Sequence, residues 1–327
     1  MNEEKSGHER RTAILVALFV TLLWSTSWVL IKVGLRGIPP LTFAGLRYAL
    51  ATLVLLPFFL RSRGLADLRR LPPRRWGQLI LLGVVFYALT QGSQFVALAH
   101  LPAVTVNLLL SLTSPLVAVL GIPLLSERPF LLQWAGLALA VAGVVVYFGP
   151  AALPGGVGIG LLAAGIGVLA NAASSLFGRA VNRRGDLSPL TVTTVSMGVG
   201  AGILLVVGLF AQGLPRLGWG EWGIVAWLAL VNTALAFTLW NRALRVLSAM
   251  ESSLINTAMM VEIPLLAILF LGERLGPVEV AGLFLTALGI VLVQQGPAWR
   301  RGRRPAKALP SGAGEERLTS RGKGGRP

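Results

Sequence analysis

Glu262 is the residue whose type and position most demand a chemical account. It falls near the middle of an apolar stretch, MMVEIPLL, with Pro264 two residues later. A carboxyl at bilayer depth can exchange a proton with a water-filled cavity, and the missing amide hydrogen of Pro264 frees backbone that could help build a site. The competing account is a neutral carboxyl hydrogen-bonded to a neighbouring helix, or one paired with Arg47. Arg47 is the other charge inside a span, about a third of the way along it. A central arginine costs about 2.5–3.5 kcal/mol on insertion scales, so its head should reach the headgroups, an ionic partner or a bound ligand. The sequence leaves all three open.

Around these two charges lie amides and indoles at helical spacing. Trp24, Ser25 and Trp28 share one face; Gln91 and Gln94 are three apart; Asn107, Ser111 and Ser114 follow at four and three. Later in the chain Asn171 stands with Ser174 and Ser175, Asn232 precedes Trp240, and Asn256 precedes Met259 and Met260. An amide in hydrocarbon is unfavourable unless it bonds another helix or lines water. Any one of these is readily explained as helix–helix adhesion. Their recurrence at matching depth in six spans points to a shared polar cavity, with Trp24, Trp28, Arg47, Gln94, Asn107, Asn171, Asn232, Trp240 and Asn256 as its lining and Glu262 as the candidate for proton coupling.

Other chemistries lack their parts. The chain has no cysteine and only two histidines, His8 and His100, so neither thiolate nor histidine metal chemistry is expected, and no cofactor is called for. No aspartate falls within a span, which leaves a membrane-embedded enzyme without an aspartate pair. No GxxxxGK[ST] loop is present to bind ATP. A channel would need rings of like charge or repeated filter loops, which are missing.

The elements that must position these residues are membrane helices. Of 327 residues 54% are hydrophobic and 13% charged, against roughly 25% charged in soluble domains; mean hydropathy is +0.74. Pro, Gly and Arg punctuate ten apolar runs, at 12–32, 40–60, 76–98, 103–124, 132–149, 158–179, 189–211, 222–244, 249–271 and 277–296, each near the length that spans a bilayer as helix. The net charge of +16 is not a nucleic-acid signature, because the basic residues sit in short loops and the tail. One face collects Lys5, Arg10, Arg11, six arginines between Arg61 and Arg75, Arg128, Arg179, Arg183, Arg184, Arg242, Arg245 and the tail; the other holds Lys32, Arg36, Arg216 and Arg274. The positive-inside rule then places both termini in the cytoplasm.

The chain also repeats itself. A shift of 146 residues aligns Trp76–Tyr147 with Trp222–Val293 without a gap, with 22 of 72 positions identical. Rare pairs fall in register: Trp76/Gly77 with Trp222/Gly223, Glu127/Arg128 with Glu273/Arg274, Gly136 with Gly282, and Gly143 with Gly289. Upstream, a shift of 147 pairs Lys32 with Arg179. Five spans per repeat is odd, so the second copy enters the membrane from the other side. Glu262 has no acidic mate, since Leu116 matches it. The paired glycines, seven apart, predict close packing of the fifth and tenth helices, and the Glu-Arg pairs read as helix-end structure.

With these residues in view, the chain resembles the EamA-type branch of the drug/metabolite transporter superfamily. The resemblance rests on WSTSWVLIK at Trp24–Lys32, PPLTFAGLRYALA at Pro39–Ala51, SPLVAVLGIPLLSERPFLLQWAGLALAVAGVVV at Ser114–Val146 and EIPLLAILFLGERLGPVEVAGLFLTALGIVLV at Glu262–Val293. It implies an all-α membrane protein with ten helices in two inverted five-helix repeats. The expected organisation is an N-terminal cytoplasmic tail at 1–11, repeats at 12–149 and 158–296, a periplasmic connector at 150–157 and a disordered basic tail at 297–327. The expected role is a secondary transporter of small neutral or zwitterionic metabolites in the bacterial inner membrane, with the lipid bilayer and a small-molecule substrate as partners. No nucleic acid is expected, and a monomer is compatible with the pattern. The second repeat departs from the first at NAASSLFGR (Asn171–Arg179) and at Met197, which stands near the position opposite Arg47.

Overall fold

The computed structural model describes residues 2–62, 64–69, 71–125, 131–149, 157–182, 186–213, 215–247 and 249–302. The Glu127–Arg128 pair, Arg183 and Arg184, nearly all of the connector and the tail beyond Gly302 lie outside the described residues.

Ten long helical stretches follow in order. They are α1 (Asn2–Gly34), α2 (Pro40–Arg61), α3 (Pro73–His100), α4 (Ala103–Ser111 and Thr113–Leu125), α5 (Leu131–Phe148), α6 (Gly158–Asn182) and α7 (Pro189–Gln212). The last three are α8 (Trp219–Ala229, Leu230–Leu235 and Ala236–Ala243), α9 (Ala249–Thr257, Met259–Leu266 and Ala267–Leu271) and α10 (Pro277–Gly302). Among the described residues nine helices are long and apolar enough to cross a membrane, and a shorter apolar helix, Ile255–Leu271, supplies the tenth. A short helix, Gly64–Arg69, lies in the arginine-rich link before α3.

Local chemistry sets the boundaries. Proline opens α2, α3 and α7, where its fixed φ fits the first turn and its missing donor is not needed. Gln212 at the end of α7 accepts from the amides of Leu41 (3.0 Å) and Thr42 (3.3 Å), satisfying the start of α2 from the other repeat. Gly272 ends α9 at φ +69°, a left-handed conformation that favours glycine.

Two boundaries differ from expectation. α1 begins at Asn2 rather than near 12, so the polar leader is helical, and Arg10 donates to Glu251 at the start of α9 (2.8 Å). Its charges are compatible with helix once the backbone is already nucleated by the span behind them. α10 continues past 296 to Gly302, through Pro297.

Packing runs between repeats rather than within them. α2 lies along α7 and α5 along α10, while α1 packs on α8 and α9 as α6 packs on α3 and α4. Under the repeat relation these last contacts are mates, as inverted halves require. The α5–α10 seam is glycine-built. A Cβ on Gly289 would stand 2.4 Å from the Ala140 amide nitrogen, and one on Gly143 2.5 Å from that of Thr286. The two backbones therefore touch directly.

Irregular backbone also obeys the repeat. α4 breaks at Leu112 and α9 at Ala258, 146 residues apart. π-helical turns occupy Gly83–Gln91 in α3 and Leu230–Leu235 in α8, overlapping under the same shift, and a third, Ala267–Leu271, follows Pro264 in α9. Helix interruptions matched in two halves are the backbone signature of a site at their interface.

Candidate functional site

The helices that carry these interruptions bring part of the expected residue set together. Thr21 and Ser25, four apart on α1, face α9 and donate to the two carboxyl oxygens of Glu262 (3.1 and 2.7 Å). One turn along, Asn232 in the π turn of α8 donates to the Leu23 carbonyl and to Thr26 Oγ1 (3.1 Å). Trp24 rests against Trp240 and Phe237 of α8, with ring centroids 5.1 and 5.5 Å away. Trp24, Asn232, Trp240 and Glu262 thus form one constellation, with α1 as its spine.

Arg47 joins this constellation from behind. It is 6% exposed, and its Nε donates to Thr233 Oγ1 (3.2 Å), the neighbour of Asn232. Thr233 in turn donates to the Leu228 carbonyl five residues back, an acceptor released by the π turn (2.8 Å). Arg47 is buried within the bundle with its Nε on Thr233, and it forms no ion pair with Glu262. The terminal nitrogens of Arg47 have no hydrogen-bond partner among the described residues. Tyr48, next in sequence, donates to Gln91 Oε1 (2.6 Å).

The remaining expected residues are placed separately. Trp28 is buried in the main apolar core. Asn171 donates weakly to Thr113 Oγ1 (3.4 Å), joining α6 to the start of the second half of α4. Gln94 is half-buried, and Asn256 is exposed. Asn107 is 6% exposed, and among the described residues its Nδ2 has no partner and the buried Oδ1 of Asn232 lacks a donor. A buried amide atom left unpaired costs about 1–3 kcal/mol, which a ligand group of the right polarity would recover.

Chemically, Glu262 accepts from the hydroxyls of Thr21 and Ser25 and forms no ion pair among the described residues. Arg47 offers unused donors, and the Trp24–Phe237–Trp240 group offers an aromatic wall. No group of histidine, aspartate and glutamate side chains that could hold a metal occurs among the described residues. Sequence reasoning missed Thr21, Thr26, Thr233 and Phe237. Thr21 was legible from its four-residue spacing to Ser25; Thr233 was not, because its role depends on the π turn.

A 410 Å³ vestibule opens on the face opposite the chain ends, lined by Lys32, Arg36, His100 and Glu273 among others. Glu273 accepts from the Ala103 (2.6 Å) and Val104 (3.1 Å) amides, capping α4 across the repeat interface. This is the helix-end role the sequence indicates for it.

Comparison with known proteins agrees with this architecture. The model of the EamA-like transporter family matches residues 11–149 and again 158–294. The chain is 27% identical over 288 residues to the uncharacterized transporter YvbV of Bacillus subtilis, covering 86% of this chain and 91% of that one. It is 26% identical over 290 residues to the uncharacterized inner membrane transporter YedA of Escherichia coli, covering 86% and 90%. A probable amino-acid metabolite efflux pump of Salmonella typhimurium is 34% identical over 134 residues, 40% of this chain and 41% of that protein. A solved crystal structure shares the fold at TM-score 0.61 and 22% identity, covering 86% of this chain and 97% of that one. With both repeats matched, the chain belongs to the EamA-like transporter family, and it is a multi-pass membrane transporter rather than an enzyme.

Proposed function

We propose that the protein is a secondary active exporter of small neutral or zwitterionic metabolites, such as amino acids or amphipathic compounds. It works by alternating access around a central site between the repeats. The observation that carries this reading is the register of the backbone interruptions: breaks at Leu112 and Ala258, and π turns in α3 and α8, with Asn232 and Glu262 on the interrupted helices α8 and α9. A site assembled from matched, interrupted helices is one that either half can open.

Substrate class follows from what the site holds. The aromatic wall suits an apolar moiety, the unpaired amide atoms suit polar groups of both signs, and the single central arginine is too little for a phosphorylated sugar. The efflux-pump relative supports amino-acid metabolites, since its name assigns it that cargo. Glu262 is the coupling residue in this reading, taking a proton from one side and yielding it to the other. The membrane is the bacterial inner membrane, with both termini cytoplasmic. Uptake into proteoliposomes, screened across amino acids, nucleosides, sugars and quaternary amines, tests the assignment; saturable transport of a zwitterion is the expected result, and transport confined to sugars or nucleosides would overturn it.

A further inference from the structure

The two ends of the molecule differ in a way the repeat makes interpretable. On the face opposite the chain ends, the end of α1 packs against the end of α3, and the first half of α4 against the second half of α9. The repeat mates of these contacts belong on the other face: the end of α6 with the end of α8, and the second half of α4 with the first half of α9. Among the described residues neither mate is packed comparably. Among the described residues, these contacts hold one face and their repeat mates do not hold the other to the same degree.

Lys32 sits at the closed end. Its ammonium donates to the carbonyls of Leu98 and Leu101, both at 2.6 Å, where the end of α3 leaves its last carbonyls without helical partners. A cation at a helix C-terminus gains from the dipole as well as from the hydrogen bonds. The vestibule lies immediately outside this contact. By the repeat, Leu98 and Leu101 correspond to Leu244 and Leu247 at the end of α8, and Lys32 corresponds to Arg179 near the end of α6. The Arg179 side chain is exposed and makes no hydrogen bond among the described residues, and the Leu244 and Leu247 carbonyls accept no backbone bond there.

We propose that Lys32 and Arg179 are reciprocal latches: Lys32 closes one face by binding the carbonyl end of α3, and Arg179 closes the other by binding the Leu244 and Leu247 carbonyls when Lys32 lets go. Both residue types donate to carbonyls and cannot accept, so a basic residue is conserved between the repeats in function even though lysine and arginine differ in shape. The inference rests on the alternating-access reading above and adds the residues that hold each closed state.

The test uses the absence of native cysteine. Val104, fully buried at the closed face, is replaced by cysteine (Val104→Cys) as the only thiol, and its alkylation by a maleimide is followed in detergent. Lys32→Met should raise the rate about tenfold, the scale of losing a charged hydrogen-bond pair, while Lys32→Arg should not. Arg179→Met should lower the rate by weakening the opposite closed state. The double variant Lys32→Met/Arg179→Met should return toward the parent rate, which loosening of the fold would not do. An unchanged or raised rate in Arg179→Met, or a double variant as reactive as Lys32→Met, would overturn the proposal. The labelling needs no substrate: reciprocal shifts without measurable transport would retire the substrate assignment alone.

Discussion

The α5–α10 seam and the α1–α8–α9 constellation both join one repeat to the other, yet they are built from opposite materials. The seam is made by removing side chains, so that Gly136, Gly143, Gly282 and Gly289 bring backbones into contact. The constellation is made by polar side chains reaching across: Thr21 and Ser25 to Glu262, Asn232 to Leu23 and Thr26, Arg47 to Thr233. Backbone contact has no alternative arrangement within reach. Hydroxyl and amide bonds of about 1 kcal/mol each can be exchanged for bonds to water or ligand at little net cost. A transporter needs both, a fixed seam and a seam that trades partners.

Substitutions should separate the two regions sharply. The largest effect is expected at the glycine seam: Gly289→Leu or Gly143→Leu must displace backbone, at or beyond the upper end of the ~1–3 kcal/mol usual for overpacking. Loss of monodisperse protein in detergent is the readout; a normal melting curve would mean the seam is looser than drawn.

Next come Trp24→Ala and Asn232→Ala, from opposite repeats, each expected to reduce substrate binding by roughly tenfold, the scale of an aromatic contact or a good hydrogen bond. Their melting temperatures should change little beside those of the glycine variants. Should binding survive while stability falls, the constellation is adhesive and resembles the seam after all.

Glu262→Gln is expected to act on only one property. It keeps the size and one acceptor for Thr21 or Ser25 but cannot take up or release a proton, so the pH dependence of transport should vanish while substrate exchange persists. Pronounced pH dependence remaining in that variant would assign Glu262 to structure.

The smallest effect is expected at Glu273→Gln, where one acceptor for the α4 amides is kept and the charge–dipole contribution of about 0.3–1 kcal/mol is lost. A small drop in melting temperature checks it.

The seam and the constellation also differ in how far they could be read without coordinates. Spans, repeat and glycine seam are legible because composition, charge asymmetry and a 146-residue shift encode them directly. The N-terminal extension of α1 was not, since EEKSGHERR is too polar to register as span although nothing in it forbids helix. Glu262, Asn232, Trp24 and Trp240 were legible as unusual residues at depth. Their partners were not. Thr233 meets Arg47 only because α8 widens into a π turn, and the same LVNTAL would suit an ordinary helix. Ion pairing of Arg47 with Glu262 was reasonable from charge alone and fails because Thr21 and Ser25 meet Glu262 while Arg47 turns its Nε to Thr233.

The most direct test of the central claim is accumulation of labelled amino acids in proteoliposomes under an imposed proton gradient, with the parent protein, Trp24→Ala and Asn232→Ala measured side by side. A central site shared by both repeats predicts gradient-dependent accumulation by the parent and a marked reduction in both variants, with protein stability changed far less than in the glycine variants. Equal accumulation by all three proteins would contradict it.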